Sequence, residues 1–306
     1  VTTADFLRLD LPALLAAILA CGSCGLLGSF LLLRRDSLLG DALSHAVLPG
    51  IIAGFAITGA RAGLPMLLGA LAAALLAVFL IGLVRRVARL ESGAATGAVF
   101  TSFFALGLML IEATGARSVD LDLDCVLFGQ LESLVWLEAQ GFGSLLDPVA
   151  LAALPRQLFL LAAVAVVLAG LVALLWRPLH LLCFDPDYAA AIGLPARGLE
   201  LALNLMVAAA AVAAFEAVGS ILVVAMLVCP AAAIRLLTDS YRTQVLGAAL
   251  GALGYAVAGP LPAAFGQSFS LNAAGVIGTL GGLAVAGAML LRQLRNASPK
   301  PAIISG

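Results

Sequence analysis

The chain has 306 residues, 63% of them hydrophobic and only 11% charged, with a formal net charge of −1 and a mean hydropathy of +1.15. Soluble domains carry about 25% charged residues, so the composition excludes one. It points to an all-α polytopic membrane protein with room for about nine spans of roughly 20 residues, eight being the alternative. Near-neutral charge argues against a nucleic-acid partner. The 5 cysteines are not spaced as a disulfide framework. VTTADFLRLDLP, at the start, lacks the small-residue cleavage site of a signal peptide.

The first expected span, Leu11 to Leu33, carries Gly22, Gly25 and Gly28 as a small-residue ridge. Cys21 and Cys24 lie in the same apolar stretch and read as small packing residues, with metal or redox chemistry as the other reading. Arg34 and Arg35 end the span and mark a cytoplasmic end, which predicts an outside N-terminus. The second span, Gly40 to Thr58, returns outward and carries Asp41, Ser44, His45 and Pro49. The third, Leu64 to Val84, ends inside at Arg85, Arg86 and Arg89. The fourth runs from Gly93 to Ile111, with Thr96, Thr101 and Ser102, and is followed by Glu112.

Residues 113–155 form the longest non-spanning stretch, expected outside. Asp120, Asp122 and Asp124 alternate with apolar residues there. They read as an acidic lip that concentrates cations, or as a solvated loop of period-2 polarity. Phe128, Leu131, Leu134 and Trp136 predict that part of this loop meets the membrane boundary, where Trp is favoured.

The fifth span, Gln157 to Trp176, ends inside at Arg177. In the segment 184–195, Asp185 or Asp187 can cap a short cytoplasmic helix, with Pro186 in its first turn and Gly193-Leu194-Pro195 stopping it. His180, just before it, reads as an interface residue and not a ligand. Residues 199–229 must leave the cytoplasm and return, because Arg235 and Arg242 again mark the inside. Two short spans broken within 216–220 satisfy this; broken helices often line substrate paths. Glu200 and Asn204 share a face there, and Asn204 reads as an interhelical hydrogen-bonding residue or a pathway ligand. Residues 230–244 are expected as a second cytoplasmic segment. An eighth span, Val245 to Ala258, and a ninth, Leu271 to Leu291, follow. Arg292, Arg295 and Lys300 complete an N-out, C-in topology.

Asp41 and His45 are the chemically loaded pair. Positions four apart share one helix face, and a carboxylate with an imidazole suits a divalent cation such as manganese or iron(II), zinc being accepted too. His45 lies ten residues past Arg35, or roughly 15 Å of helix, near the middle of a ~30 Å core. Ionisable groups at that depth are costly and point to function. Pro49 removes the N–H that would pair with the His45 carbonyl, so a kink is expected at the pair. A neutral histidine bonded to Ser44 or to backbone is the structural alternative. One Asp and one His are too few for a tight site; a twofold dimer would double them. No Walker A loop or nucleophile–base arrangement is present, so the chain reads as a transport subunit and not an enzyme.

DALSHAVLPG (41–50) resembles the hallmark of the permease subunits of metal-ion ABC importers for manganese, zinc or iron(II). SGAATGAVFTSFFALGLMLI (92–111), VDLDLDCVLFGQL (119–131), FDPDYAAAIGLP (184–195) and AVGSILVVAMLVCPAA (217–232) follow in the family's order, covering most of the chain. The resemblance implies a type II importer-like fold forming a single permease domain over 1–306 in a bacterial inner membrane. It implies an ATP-binding subunit, an extracytoplasmic metal-binding protein, and a second permease, either an identical copy or a paralogue. No cofactor is held permanently; the metal is cargo, and the 217–232 stretch leans toward manganese. Asp41 and His45 match the family's pathway residues. The 184–195 helix matches its coupling helix, with Asp185, Asp187, Tyr188, Ala189 and Gly193 facing the ATPase; Ala189 and Gly193 are similar to the end of the EAA-type signature. A stand-alone ion-coupled metal carrier is the competing function, with Asp41 and His45 as a proton relay; such a carrier needs no coupling helix.

Overall fold

The computed structural model describes residues 5–58, 63–114, 129, 131–139, 141–145, 147–258 and 273–297. A π-helical turn, Phe6–Asp10, leads into twelve α-helices: α1 Leu11–Leu33, α2 Leu38–Ala46, α3 Leu48–Thr58, α4 Gly63–Val87, α5 Ser92–Thr114, α6 Pro148–Ala152, α7 Arg156–Leu174, α8 Trp176–Phe184, α9 Pro186–Ala191, α10 Ala196–Leu237, α11 Tyr241–Ala258 and α12 Ala273–Ala297. No strand occurs among the described residues. Within them, eight helical stretches are long and apolar enough to cross a membrane, α2 with α3 counting as one and α10 as two. A helix, α11, covers the expected eighth span, but with its polar first turn (Tyr-Arg-Thr-Gln) it is not one of these eight.

The centre of the bundle is α1 against α10 and α11. The small-residue ridge of α1 makes both contacts. A Cβ at Gly25 would sit 2.6 Å from the Ala252 Cβ of α11, and one at Gly28 would overlap the Leu227 carbonyl of α10. Cys21 and Cys24 are buried free thiols in this seam, as the packing reading expects. The outer helices leave Phe79, Val166, Val167, Leu174, Leu283 and Leu290 exposed. A soluble protein rarely shows apolar surface on this scale.

α10 holds 42 residues, about 63 Å if straight, twice a ~30 Å core. It does not run straight. Glu200 in its first half lies 2.7 Å from Arg34, while Leu227 in its second half packs on Gly28. Arg34 and Gly28 are about 9 Å apart along α1, whereas Glu200 and Leu227 would be about 40 Å apart on one straight helix. The chain therefore reverses between them. The break is Gly219 (φ 77°, ψ 167°), a backbone region open essentially only to glycine. It falls inside the expected 216–220 window. Gly129 (φ +72°) packs against the Val218–Gly219 peptide, too close for a Cβ.

One expectation is extended and one corrected. Within 230–244, expected as cytoplasmic, α10 continues through Pro230 to Leu237 and α11 begins at Tyr241, so most of the stretch is helix. The residues after Pro230 are apolar (AAAI), so the helix gains more by continuing than it loses in one hydrogen bond. Buried Gln244 holds this corner, donating from Nε2 to the Ala231 carbonyl at 2.7 Å. Trp136 is not a membrane-boundary anchor. It is fully buried beside Leu7, Ala139 and Ala150, and its indole N–H donates to the Ala150 carbonyl at 2.7 Å. Arg8 closes the contact, donating from Nε to the Ala139 carbonyl at 2.6 Å. Leu131 and Leu134 enter the main core; Phe128 lies outside the described residues. Aromatic content alone does not tell a protein-buried Trp from an interfacial one, because both need one apolar and one hydrogen-bonding end.

The contacts of the α1 ridge predict an asymmetry. Gly28→Ala should lower the thermal midpoint and the monodisperse yield, by about 1–3 kcal/mol of overpacking. Gly22→Ala meets only the flexible end of Leu253, at 3.0 Å, and should stay near wild type. Thermal melts followed by size-exclusion chromatography read both.

Candidate functional site

The second span is broken where Pro49 requires it. α2 ends at Ala46, Val47 is a turn, and α3 starts at Leu48. The His45 carbonyl is not left free, since the Val47 N–H turns back to it. Upstream of the break, His45 Nε2 stands 3.5 Å from Asp41 Oδ1. Two ligands about 2.1 Å from a tetrahedral cation are about 3.4 Å apart, so this spacing suits one ion held between them. No third His, Cys, Asp or Glu of the described residues joins the pair. The His45 side chain is 21% exposed and that of Asp41 is 41% exposed, so the pair opens on the protomer's surface.

The His45 ring is flanked by Phe100 at 5.3 Å and Phe104 at 5.4 Å, both on α5. These two rings set the plane of the imidazole, and the sequence reading passed over them. Their i, i+4 spacing within VFTSFFA was the available signal. Ser44 is fully buried and its hydroxyl donates to the Gly40 carbonyl at 2.9 Å; it braces α2 from inside and is not bonded to His45. Thr101 and Ser102 donate to carbonyls one turn back in their own helix, those of Gly97 and Ala98. Asp120, Asp122 and Asp124 lie outside the described residues.

Asn204 makes no hydrogen bond to another described residue and lines a cavity at the Arg-rich end of α4. Beside it, Glu200 Oε1 takes Arg34 Nη2 at 2.7 Å and Arg85 Nη1 at 3.5 Å. Arg34 also faces Asp36 at 3.5 Å, and Asp36 accepts from Ser92. This network ties the ends of α1 and α4 to the starts of α5 and α10. It joins residues up to 166 positions apart, so no local pattern could have shown it.

α9 is built as its sequence implies. Asp185 Oδ1 accepts the Tyr188 N–H at 2.8 Å, with Pro186 and Asp187 in the first turn. Gly193 (φ +86°) closes the helix, its N–H bonding the Ala190 carbonyl and that of Leu194 bonding Ala189, a Schellman pattern. Ala189 is fully buried and anchors the helix. Tyr188, Ile192 and Phe184, each about half exposed, form the outer face; the sequence reading named only Tyr188 of these. His180 stacks on Tyr241 at 4.2 Å. Burial pushes the nearby Cys183 thiol up to about 12, which keeps it protonated and a poor metal ligand.

A bundle of membrane-length helices, broken at mid-span beside a surface-facing carboxylate–imidazole pair, defines a polytopic transport protein. The chain belongs to the ABC 3 transport family, whose model matches residues 7–140 and 142–291. It is 36% identical over 269 residues to the manganese transport system membrane protein MntD of Bacillus subtilis, covering 88% of this chain and 87% of that one. It is 34% identical over 228 residues to the zinc transport system membrane protein TroC of Treponema pallidum, covering 74% and 70%. Among solved structures it is similar to PsaBC from Streptococcus pneumoniae in complex with Fab, at TM-score 0.71 and 29% identity, covering 92% and 90%.

Glu200→Gln should leave the poorly exposed Arg34 guanidinium without its strongest partner. The expected loss is about 1.5–3 kcal/mol of stability, read as a lower thermal midpoint. Glu200→Asp should recover part of it.

Proposed function

We propose that this chain is the permease subunit of an ABC importer that carries a divalent transition metal, preferentially manganese, into the cytoplasm. The observation that carries this reading is the Asp41–His45 pair, spaced for one cation and facing outward from a broken helix. A carboxylate exposed at that depth must face a pathway or another protein chain and not lipid. A second permease docked on this face would enclose the pair and double the ligands to two carboxylates and two imidazoles around a twofold axis. Such an oxygen–nitrogen set suits manganese or iron(II), accepts zinc, and offers no thiolate. Manganese is favoured because MntD, named for manganese transport, is 36% identical over 88% of this chain; the zinc protein TroC keeps zinc in view.

We read the chain as a nine-span protein of a bacterial inner membrane, α11 included, with α9 and the C-terminus on the cytoplasmic side; the Arg-rich helix ends support this reading. α9 and its flanks then present Tyr188, Ile192 and, from the end of α8, Phe184 to an ATP-hydrolysing subunit, while buried Ala189 fixes α9 to the permease. Asp187 and the Asp185 cap favour the positive end of the helix. Motion at α9 reaches the bundle through α10 and the Glu200–Arg34–Arg85 network. An extracytoplasmic metal-binding protein delivers cargo at the opposite face, and the hydrolytic chemistry belongs to the partner subunit.

Asp41→Ala and His45→Ala should each abolish uptake while the complex with the ATPase stays intact. Elemental analysis after exposure to equal manganese, zinc and iron(II) should show manganese retained by wild type and lost from both variants. Normal uptake by either variant overturns the site. Gly193→Val, which forces a β-branched side chain into a left-handed backbone, should uncouple ATP hydrolysis from uptake, seen as hydrolysis persisting while transport falls.

A further inference from the structure

A second site lies apart from the metal pair. A half-open cavity of about 800 Å³ sits between the end of α4 and the start of α10. Its polar rim carries Arg85, Arg86, Arg89 and Arg197, and its wall includes Phe79 and Leu201. Among the described residues that line the cavity, Glu200 is the one carboxylate, and it is already engaged by Arg34 and Arg85. Arg86, Arg89 and Arg197 have no carboxylate of the described residues within ion-pair reach. Three uncompensated guanidinium groups around one hollow repel each other unless an anion joins them. The wall has a different character: Phe79 is 63% exposed and Leu201 49%, so an apolar side of the hollow is left uncovered.

We propose that this cavity binds one anionic glycerophospholipid, with its phosphodiester on Arg86, Arg89 and Arg197 and its acyl chains along Phe79 and Leu201. Basic hollows between spanning helices are suited to anionic headgroups, and guanidinium forks match phosphate oxygens. A soluble phosphate would use the rim and leave the apolar wall without a partner; a lipid uses both. The site is distinct from the metal pair. Leu39 lines this cavity, and Asp41, two residues on, lies about 200° around the same helix. The proposal needs only that the chain sits in a membrane, so it stands or falls separately from the transport reading. A lipid here would grip α4 and the first turns of α10, the helix that follows α9.

The test is native mass spectrometry of the purified, delipidated protein with whatever subunits co-purify, titrated with phosphatidylglycerol, phosphatidylcholine or inorganic phosphate. Wild type should hold one phosphatidylglycerol per permease chain and discriminate against phosphatidylcholine. Arg86→Gln/Arg89→Gln/Arg197→Gln should weaken phosphatidylglycerol on the order of a hundredfold. The control Arg242→Gln/Arg292→Gln/Arg295→Gln, with equal charge lost elsewhere, should bind as wild type. Arg197→Glu alone, at an exposed first-turn position where an acid suits the helix, keeps the test open if the triple variant misfolds, and it too should weaken binding. Equal affinity in wild type and variants, equal binding of phosphatidylcholine, or displacement of phosphatidylglycerol by millimolar inorganic phosphate each overturns the proposal. So does a triple variant that keeps the lipid and loses the ATPase, which would make the arginines a protein-docking surface.

Discussion

The backbone contact between Gly28 and Leu227 is the constraint on which the bundle depends. α1 can sit at the centre because its glycine ridge lets α10 and α11 approach to backbone distance. α10 can meet α1 twice, at Arg34 and at Gly28, only because Gly219 reverses it. Together these put Glu200 and Leu227 near the same end of α1, so the start of the helix after α9 and the return leg are fastened to one post. Van der Waals packing of small residues supplies the attraction here, since lipid tails remove the hydrophobic drive between helices.

Against that rigid centre, the second span is the irregular element. Pro49 breaks it at Val47, and the short α2 is left presenting Asp41 and His45 outward while Ser44 is tied to its own helix inside. Phe100 and Phe104 hold the imidazole from α5. In the proposed metal role this protomer would supply half a coordination shell, and a second permease on the same face would complete it and cover the carboxylate.

The cytoplasmic-reading end is governed by charge. Arg34, Arg85, Glu200 and Asp36 form one linked set joining four helix ends, and Arg86, Arg89 and Arg197 continue it without partners into the cavity beside Asn204. Arg35 and Arg89 both hold left-handed backbone (φ 60° and 51°) at helix ends, positions where glycine is usual. Retaining arginine there costs conformational energy and keeps the charge at this end.

Composition and local pattern carried much of this protein. Hydropathy gave eight of the nine expected spans to within a few residues, because a membrane segment must satisfy its backbone internally and so declares itself by length. Asp41, His45 and Pro49 were legible because polar groups are conspicuous in an apolar stretch, and the α9 cap and stop because capping acts over three or four residues. The reversal window of 216–220 came from charge bookkeeping across Arg235 and Arg242. The fate of Trp136, the continuation of α10 past Pro230, the clamp of Phe100 and Phe104, the Arg34–Glu200 bond and the basic cavity were settled by folding. Most of these depend on which distant segment occupies the neighbouring space, and a residue's own spacing holds no record of a partner as far away as Phe100 is from His45 or Glu200 from Arg34.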